Sequence, residues 1–408
     1  MRARAPASGV ASALLVGLAL ILAPGFGSGQ VVEARAMLGG SMRAFPDAPL
    51  FGGQASSHLS PSLVFVPEIF VESADGQWIL VGEGFARLDA HDSNRSHLDL
   101  RELGVGYLGD RVTGFVGFGQ AFWGVTEVRH LVDIVNQVDG VEDLDGEDRL
   151  GQPMVSATLE GGWGALDLYL LPYFRERTFP SSDARLSGPL PIESDPVFTS
   201  GQGRWHPDLA ARLFRTAGAV DVGLSAFRGT SREPRLVPVP GEGGAPVLRT
   251  VYDLIDQLGL DAQWTGESTL LKLEAMTRGG HGERLYAATA GIERTLYQVV
   301  GSSGDLGLLA EVMVDSRGRS APPTLFDNDV FLGGRWALND LADTSVLGGP
   351  LVDWRTGEVV LLLEAERRLG AAWSVSADAR LFANTDPSSV VHGLRRDGFV
   401  SLSLSRYF

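Results

Sequence analysis

The chain has no cysteine and one lysine, Lys272, in 408 residues. Without disulfides, an exported protein of this size must be held by its own hydrogen bonds and packing. The near-absence of lysine reads as a compositional bias, since arginine supplies the positive charge. Basic residues are outnumbered: 34 against 50 acidic, a formal charge of −16. That balance excludes a nucleic-acid partner, which needs basic patches to neutralise phosphate. Beyond residue 30 no apolar run approaches the roughly 20 residues of a spanning helix, because charge or glycine breaks each one. The inner membrane is therefore a poor destination. Signals of catalysis are also lacking. The seven histidines (58, 91, 97, 130, 206, 281 and 392) are scattered, and neither H-E-x-x-H nor G-x-S-x-G occurs. Gly104-Val-Gly106-Tyr-Leu-Gly109 fits a dinucleotide-loop pattern, but another strand follows it where a helix is required. No enzyme activity and no cofactor are expected. A Ser/His lipase triad, being spatial, is the one enzymatic reading left open.

What is present begins with a leader. Arg2 and Arg4 precede an apolar stretch over 10–23, and small residues follow at Gly25, Gly27, Ser28 and Gly29. This is the layout of a cleavable signal peptide over 1–29, with 30–408 as one mature domain. Cleavage is expected near Gly29–Gln30, with Ala34-Arg-Ala36 as a second candidate.

Period-two alternation dominates the rest. Leu271, Leu273 and Ala275 alternate with Lys272, Glu274 and Met276; Leu361, Leu363 and Ala365 alternate with Glu364 and Glu366; Val375, Ala377 and Ala379 alternate with Asp378 and Arg380. A helix would scatter these charges, whereas a strand gathers them on one face. Eighteen such strands are predicted: 31–45, 58–73, 78–90, 97–108, 111–123, 154–162, 164–177, 207–216, 220–229, 256–264, 267–279, 283–299, 305–316, 329–339, 344–353, 358–368, 373–382 and 398–408. The connections test this reading. Alternate ones are all five residues or fewer, while the others include 124–153, 178–206 and 230–255. Short periplasmic turns and long external loops are the pattern of an outer-membrane barrel. A soluble sandwich or propeller fits less well, since the second face is charged along many strands and no repeat of propeller length occurs. The last strand sets Val400, Leu402, Leu404 and Phe408 on one face, against Ser401, Ser403 and Ser405. A terminal Phe on the lipid face resembles the signal read by the barrel assembly machinery. Arg406 breaks the pattern and is expected to snorkel.

The segment 122–153 stands apart. Val128, Leu131, Val132 and Val135 have helical spacing, and Glu142, Asp143, Asp145, Glu147 and Asp148 follow. An amphipathic external connection is expected to fold into the lumen, as a selective constriction or as a structural plug. Trp123-Gly124, then Asp133-Ile-Val-Asn136-Gln137 with Asp139, together with Asp99-Leu-Arg-Glu-Leu103, resembles porin-like outer-membrane barrels of Gram-negative bacteria that are uncharacterised. The resemblance extends through Phe174-Arg-Glu-Arg-Thr-Phe179, Gly229-Thr-Ser-Arg-Glu-Pro234 and the last strand. It implies fold and outer-membrane location, and hardly anything about a substrate.

Three residue sets are candidates for function. The constriction or plug set is Trp123, His130, Asp133, Asn136, Asp139, Asp143 and Asp145. Within it, Asp139, Asp143, Asp145 and Glu147 suit calcium chemically, although not at EF-hand spacing; a solvated acidic loop is the plainer reading. The expected lumen wall carries Glu83, Arg87, Arg101, Asp167, Arg175, Arg177, Arg212, Asp261, Lys272, Glu274, Glu311, Arg335, Glu364, Glu366, Asp378 and Arg380, where charge can tune selectivity or brace neighbouring strands. Arg101 and Glu102 can share the inner face only across a bulge. Lastly, Arg175, Arg177, Arg228, Arg232 and Arg235 near the external rim can funnel anions, bind lipopolysaccharide phosphates or pair with acidic loops. The expected fold is thus an all-β, transmembrane antiparallel β-barrel of 16–18 strands, with a long loop in its lumen. Its expected partners are outer-membrane lipids, lipopolysaccharide, the assembly machinery and small polar solutes; association into homo-oligomers stays open. The expected role is a porin-like channel, and the alternative is a plugged barrel anchoring an export or lipid-handling system.

Overall fold

The computed structural model describes residues 30–408 apart from Asp145. The expected signal peptide lies outside the described residues. The strands, in chain order, are β1 (Val31–Ala44), β2 (Leu59–Glu72), β3 (Trp78–Asp89), β4 (Leu98–Leu108), β5 (Val112–Gly119), β6 (Gln152–Gly161), β7 (Gly164–Leu171), β8 (Ile192–Phe198), β9 (Asp208–Ala217), β10 (Val220–Thr230) and β11 (Arg235–Pro240). The series continues with β12 (Pro246–Tyr252), β13 (Leu254–Thr265), β14 (Thr269–Gly279), β15 (Leu285–Leu296), β16 (Asp305–Asp315), β17 (Asn328–Ala337), β18 (Ser345–Asp353), β19 (Val359–Arg368), β20 (Trp373–Ala383) and β21 (Phe399–Tyr407).

Eighteen of them form one antiparallel sheet. Each pairs with its neighbour along the chain, with β7 passing to β9 and β10 to β13. The sheet closes where β21 pairs with β1, from Met37 opposite Tyr407 to Ala44 opposite Val400. A closed sheet has no unpaired edge, the requirement for crossing lipid with strands.

The remaining strands, β8, β11 and β12, make a small separate sheet within the long loops, with β12 antiparallel to β11 and parallel to β8. Over these stretches the sequence pattern predicts loops. Pro196, Pro238, Pro240 and Pro246 lie in them, and proline is scarce inside strands because it cannot donate to a ladder.

Two predicted strands are shorter than expected. The one read over 111–123 ends at Gly119, where the Asn136 side chain takes over the pairing by donating to the Gly119 carbonyl and accepting from Ala121 N–H. The one read over 164–177 ends at Leu171, ahead of Pro172. Arg101 and Glu102 both face inward through a bulge, since Glu83 pairs with Glu102 and Gly84 with Leu100, leaving Arg101 as the extra residue.

Register and exposure fix the two faces. Leu63, Val116, Leu258, Leu332, Leu361 and Leu402 point outward and are exposed. Exposed Trp78, Trp163, Trp264, Trp336, Trp373 and Phe408 ring the short-turn end, the girdle expected where a barrel meets headgroups. Arg406 lies over the rings of Trp373 and Phe408, at 5.4 and 4.7 Å, so its charge is placed at that girdle. The apolar core is inside the barrel: Trp123, Val132, Ile134 and Val135 pack on Met154, Leu171, Ala210, Phe227 and Ile255.

Leu258, 58% exposed, tests the outward face. Leu258→Arg is expected to lower the unfolding free energy in lipid vesicles by about 2–4 kcal/mol, measured by urea titration of the folded barrel.

Candidate functional site

The residues between β5 and β6, 120–151, descend into the lumen. Val132, Val135, Gln137 and Asp139 are completely buried there. The helix expected from the spacing of Val128, Leu131, Val132 and Val135 does not form; the segment runs through bends and turns. Its amides are taken instead by carboxylates on the barrel wall. Glu274 on β14 accepts from the N–H groups of Val125, Thr126 and Val132 at 2.7, 3.1 and 3.2 Å, and from the Thr126 hydroxyl at 2.7 Å. Glu311 on β16 accepts from Glu127 and Val128 N–H at 2.6 and 3.0 Å. A helix would withdraw these donors into its own ladder and strand the buried carboxylates, at a cost of several kcal/mol each.

Basic groups seize the segment from the other sides. Arg43 on β1 donates to the Glu142 carbonyl at 2.5 Å, and Arg87 on β3 pairs with the Glu142 carboxylate at 2.6 Å. Arg101 on β4 pairs with Asp139 at 2.6 Å and donates to the Arg149 carbonyl. Arg232 donates to the Val135 carbonyl, and Arg129 reaches out to Asp315 at 2.5 Å. The wall opposite must be low for the segment to fit. A Cβ on Gly259 of β13 would stand 2.8 Å from Val132 Cγ1.

The predicted constriction residues are largely brought together. Trp123 is buried edge-on against Tyr169. Asp133 pairs with Arg149 at 2.7 Å. Asn136 bridges Gly119, Ala121 and Leu150. Asp139 accepts from Thr178 at 2.6 Å and meets His97 at 3.2 Å. Asp143 is half-buried, and Asp145 lies outside the described residues. His130 stands 3.7 Å from Glu147 and 3.9 Å from Glu274. Burial opposes its charge, but the two carboxylates outweigh this and hold its pKa at about 9. Burial would raise the Asp139 pKa; His97, Thr178 and Arg101 together pull it down to about 2.

Of the residues read as suiting calcium, Asp145 lies outside the described residues, and Asp139, Asp143 and Glu147 by themselves do not gather as a ligand group. Among the described residues, the three possible ligand groups that come within 4.8 Å of one another are His97, Asp139 and Glu142. Their carboxylates already hold Arg101 and Arg87, so the cluster is neutralised by guanidinium.

On the wall, Arg212 pairs with Asp261 at 2.6 Å, Asp167 accepts from Thr158 at 2.7 Å, and Arg380 pairs with Glu364 at 2.7 Å. Lys272 and Arg335 approach Glu127 at 3.5 and 2.6 Å. Glu366 and Asp378 share the inner phase with Glu364, and Glu83 shares it with Glu102. Arg175 and Arg177 are corrections: they stand beyond β7, in the following loop. Arg175 braces the mouth through Asp99 at 2.6 Å and the Gly151 carbonyl. Of the rim set, Arg232 pairs with Asp208, Arg235 pairs with Asp253, and Arg228 is exposed on the outer phase opposite Asp256. Sequence reasoning missed the anchors Arg43, Glu127, Arg129 and Asp315, as well as Arg95, which donates to the Val141 carbonyl at 3.0 Å and pairs with Asp89 at 2.7 Å. Asp315 is legible as an inward position of its strand, but its partner Arg129 is not.

The geometry is that of a closed, eighteen-stranded antiparallel β-barrel with an apolar outer face and an occupied lumen. No protein-family model matches the chain, and no curated protein matches it. Among solved structures, Wzi, an outer-membrane protein of Escherichia coli involved in group 1 capsule assembly and described as a carbohydrate-binding β-barrel, aligns at 9% identity over 92% of this chain and 84% of that one, with TM-score 0.52. OmpT of Vibrio cholerae, lacking loop L8, aligns at 9% identity over 93% and 100%, with TM-score 0.48. A Rhodopseudomonas blastica porin mutant aligns at 12% identity over 93% and 100%, with TM-score 0.41. The likeness to Wzi is one of fold alone.

Glu274→Ala strands four buried donors and is expected to free the segment at a cost on the order of 3 kcal/mol or more. Trypsin should then cut the folded barrel at Arg129 or Arg149, whereas Glu366→Ala should leave it resistant. A second expectation concerns pH. The His130 pKa is raised from 6.5 to about 9, so its stabilisation is complete below 6.5 and lost as pH rises through about 9. Tryptic cleavage of the segment should increase across that window, and His130→Gln should flatten the profile.

Proposed function

We propose that the protein is a porin-like outer-membrane channel for passive diffusion of small polar solutes, narrowed by the lumen segment 120–151. The observation supporting this reading is that charged cavities lie toward both ends of the barrel. Toward the short-turn end, Glu33, Arg35, Glu68, Glu83 and Glu102 line about 260 Å³. Toward the long-loop end, a cavity of about 300 Å³ is lined by arginines and apolar groups. A barrel of this strand number is too wide for its own side chains to fill, so space beside the segment is the natural route for a solute. A mostly apolar crevice of about 120 Å³ lies between the segment and β17–β20, with Glu127, Glu147, Glu364 and Arg380 at its polar positions. Export through the signal peptide, delivery by the assembly machinery through Phe408, and contact with lipopolysaccharide belong to the same proposal.

A second reading starts from the attachments of the segment. The segment is bonded to opposite walls, through Arg43 and Arg101 on one side and Glu274 and Glu311 on the other. Held so, it acts as a plug, and the barrel serves as an anchor or partner of an export or lipid-handling system.

Current across a planar bilayer separates the two. A channel gives steady ohmic openings in the native protein, and removing 126–150 raises them several-fold. Silence from native protein with a folded barrel, relieved by the deletion, overturns the channel and supports the plug.

A further inference from the structure

The cavity at the long-loop end has a wall unlike the rest of this acidic molecule. Its volume, about 300 Å³, reaches the lower range of small-molecule sites, roughly 300–1,000 Å³. Five guanidinium groups line it, from Arg129, Arg149, Arg177, Arg232 and Arg278, against the carboxylates of Asp133 and Glu233. Four of the five are committed: Arg129 to Asp315, Arg149 to Asp133, Arg232 to Asp208 and Arg278 to Glu233. Glu233 is held twice, because Arg317 also reaches it at 2.9 Å.

Arg177 differs. Among the described residues its guanidinium makes no hydrogen bond and no ion pair, and its ring contact is with Phe179 at 5.9 Å. Space for it is provided by Gly140, where a Cβ would stand 3.2 Å from Arg177 Nε and 2.7 Å from the Thr178 carbonyl. The Arg177 side chain is half-buried and lines the cavity, and a guanidinium keeps its proton in proteins. A partly desolvated guanidinium without a hydrogen-bonded acceptor gains a charge-assisted bond from an anion placed in that cavity. Beside it, the buried Nε of Arg149 also has no acceptor.

The rest of the wall defines what the anion carries. Leu131, Ile134, Met276, Pro322, Leu325 and Phe326 present apolar surface to the same space. A bare inorganic anion would leave that surface wet, whereas a compact apolar body covers it. We propose that this cavity is a binding site for a small organic carboxylate with an apolar body, its carboxylate on Arg177 and Arg149. The site goes beyond the channel reading and stands whether or not the lumen conducts.

The test is calorimetric titration of the folded protein in detergent, near neutral pH, with benzoate, benzyl alcohol and inorganic phosphate in turn. Saturable binding is expected for benzoate, with benzyl alcohol and phosphate much weaker. Arg177→Gln removes an unpartnered charge, so its barrel should remain heat-modifiable while benzoate affinity falls at least about tenfold. Independently of any variant, benzoate should protect Arg177 from phenylglyoxal, read by mass spectrometry of its peptide. Unchanged affinity in Arg177→Gln, equal binding of benzyl alcohol or of phosphate, or no protection of Arg177 would each overturn the assignment.

Discussion

The ladder between β1 and β21 is the constraint from which the rest follows. Once that seam is made, every wall strand has two hydrogen-bonded neighbours, and the backbone needs no help from solvent. Closure also fixes the inner circumference. Eighteen strands enclose more space than their own inward side chains occupy, and the residues between β5 and β6 take up part of that space.

The filling is polar in its attachments and apolar in its packing. Carboxylates on β14 and β16 act as acceptors for amides of the segment, so a chain without regular structure is buried with its donors paired. Arginines on β1, β3 and β4 take the opposite role, meeting carbonyls and acids of the segment. Arginine suits this work better than lysine, because its several fixed donors can serve a carboxylate and a carbonyl together, as Arg101 does. Between these attachments, Val132, Ile134 and Val135 pack on Phe227 and Ile255, and the barrel has its apolar core in its lumen.

The same division sets the electrostatic character along the axis. Glutamates dominate the inner wall at the short-turn end, and arginines dominate the cavity at the long-loop end. The two ends thus carry fixed charge of opposite sign, which the net charge of the chain does not reveal.

Much of the fold was legible in the sequence because a strand betrays itself locally. Residues such as Lys272, Glu274, Leu271 and Leu273 show both faces of β14 within four positions, and alternating loop lengths show which strand ends share a side. Even the bulge at Arg101 was implied by two adjacent charges. Less of the site was legible, because its contacts join residues far apart in the chain. Nothing near Glu274 announces that it holds the amides of Val125, Thr126 and Val132. The apolar spacing of 128–135 suggested a helix, since a period cannot reveal that outside acceptors compete for its N–H groups. Prolines hid β8, β11 and β12 for a comparable reason: their pairing depends on one another across the loops. The sequence by itself determined the barrel, its faces and its ends, through periodicity and turn placement. Only the tertiary structure decided which inward charges are spent on the lumen segment and which, like Arg177, are left without a hydrogen-bonded acceptor among the described residues, because pairing of charges is a property of three-dimensional neighbours.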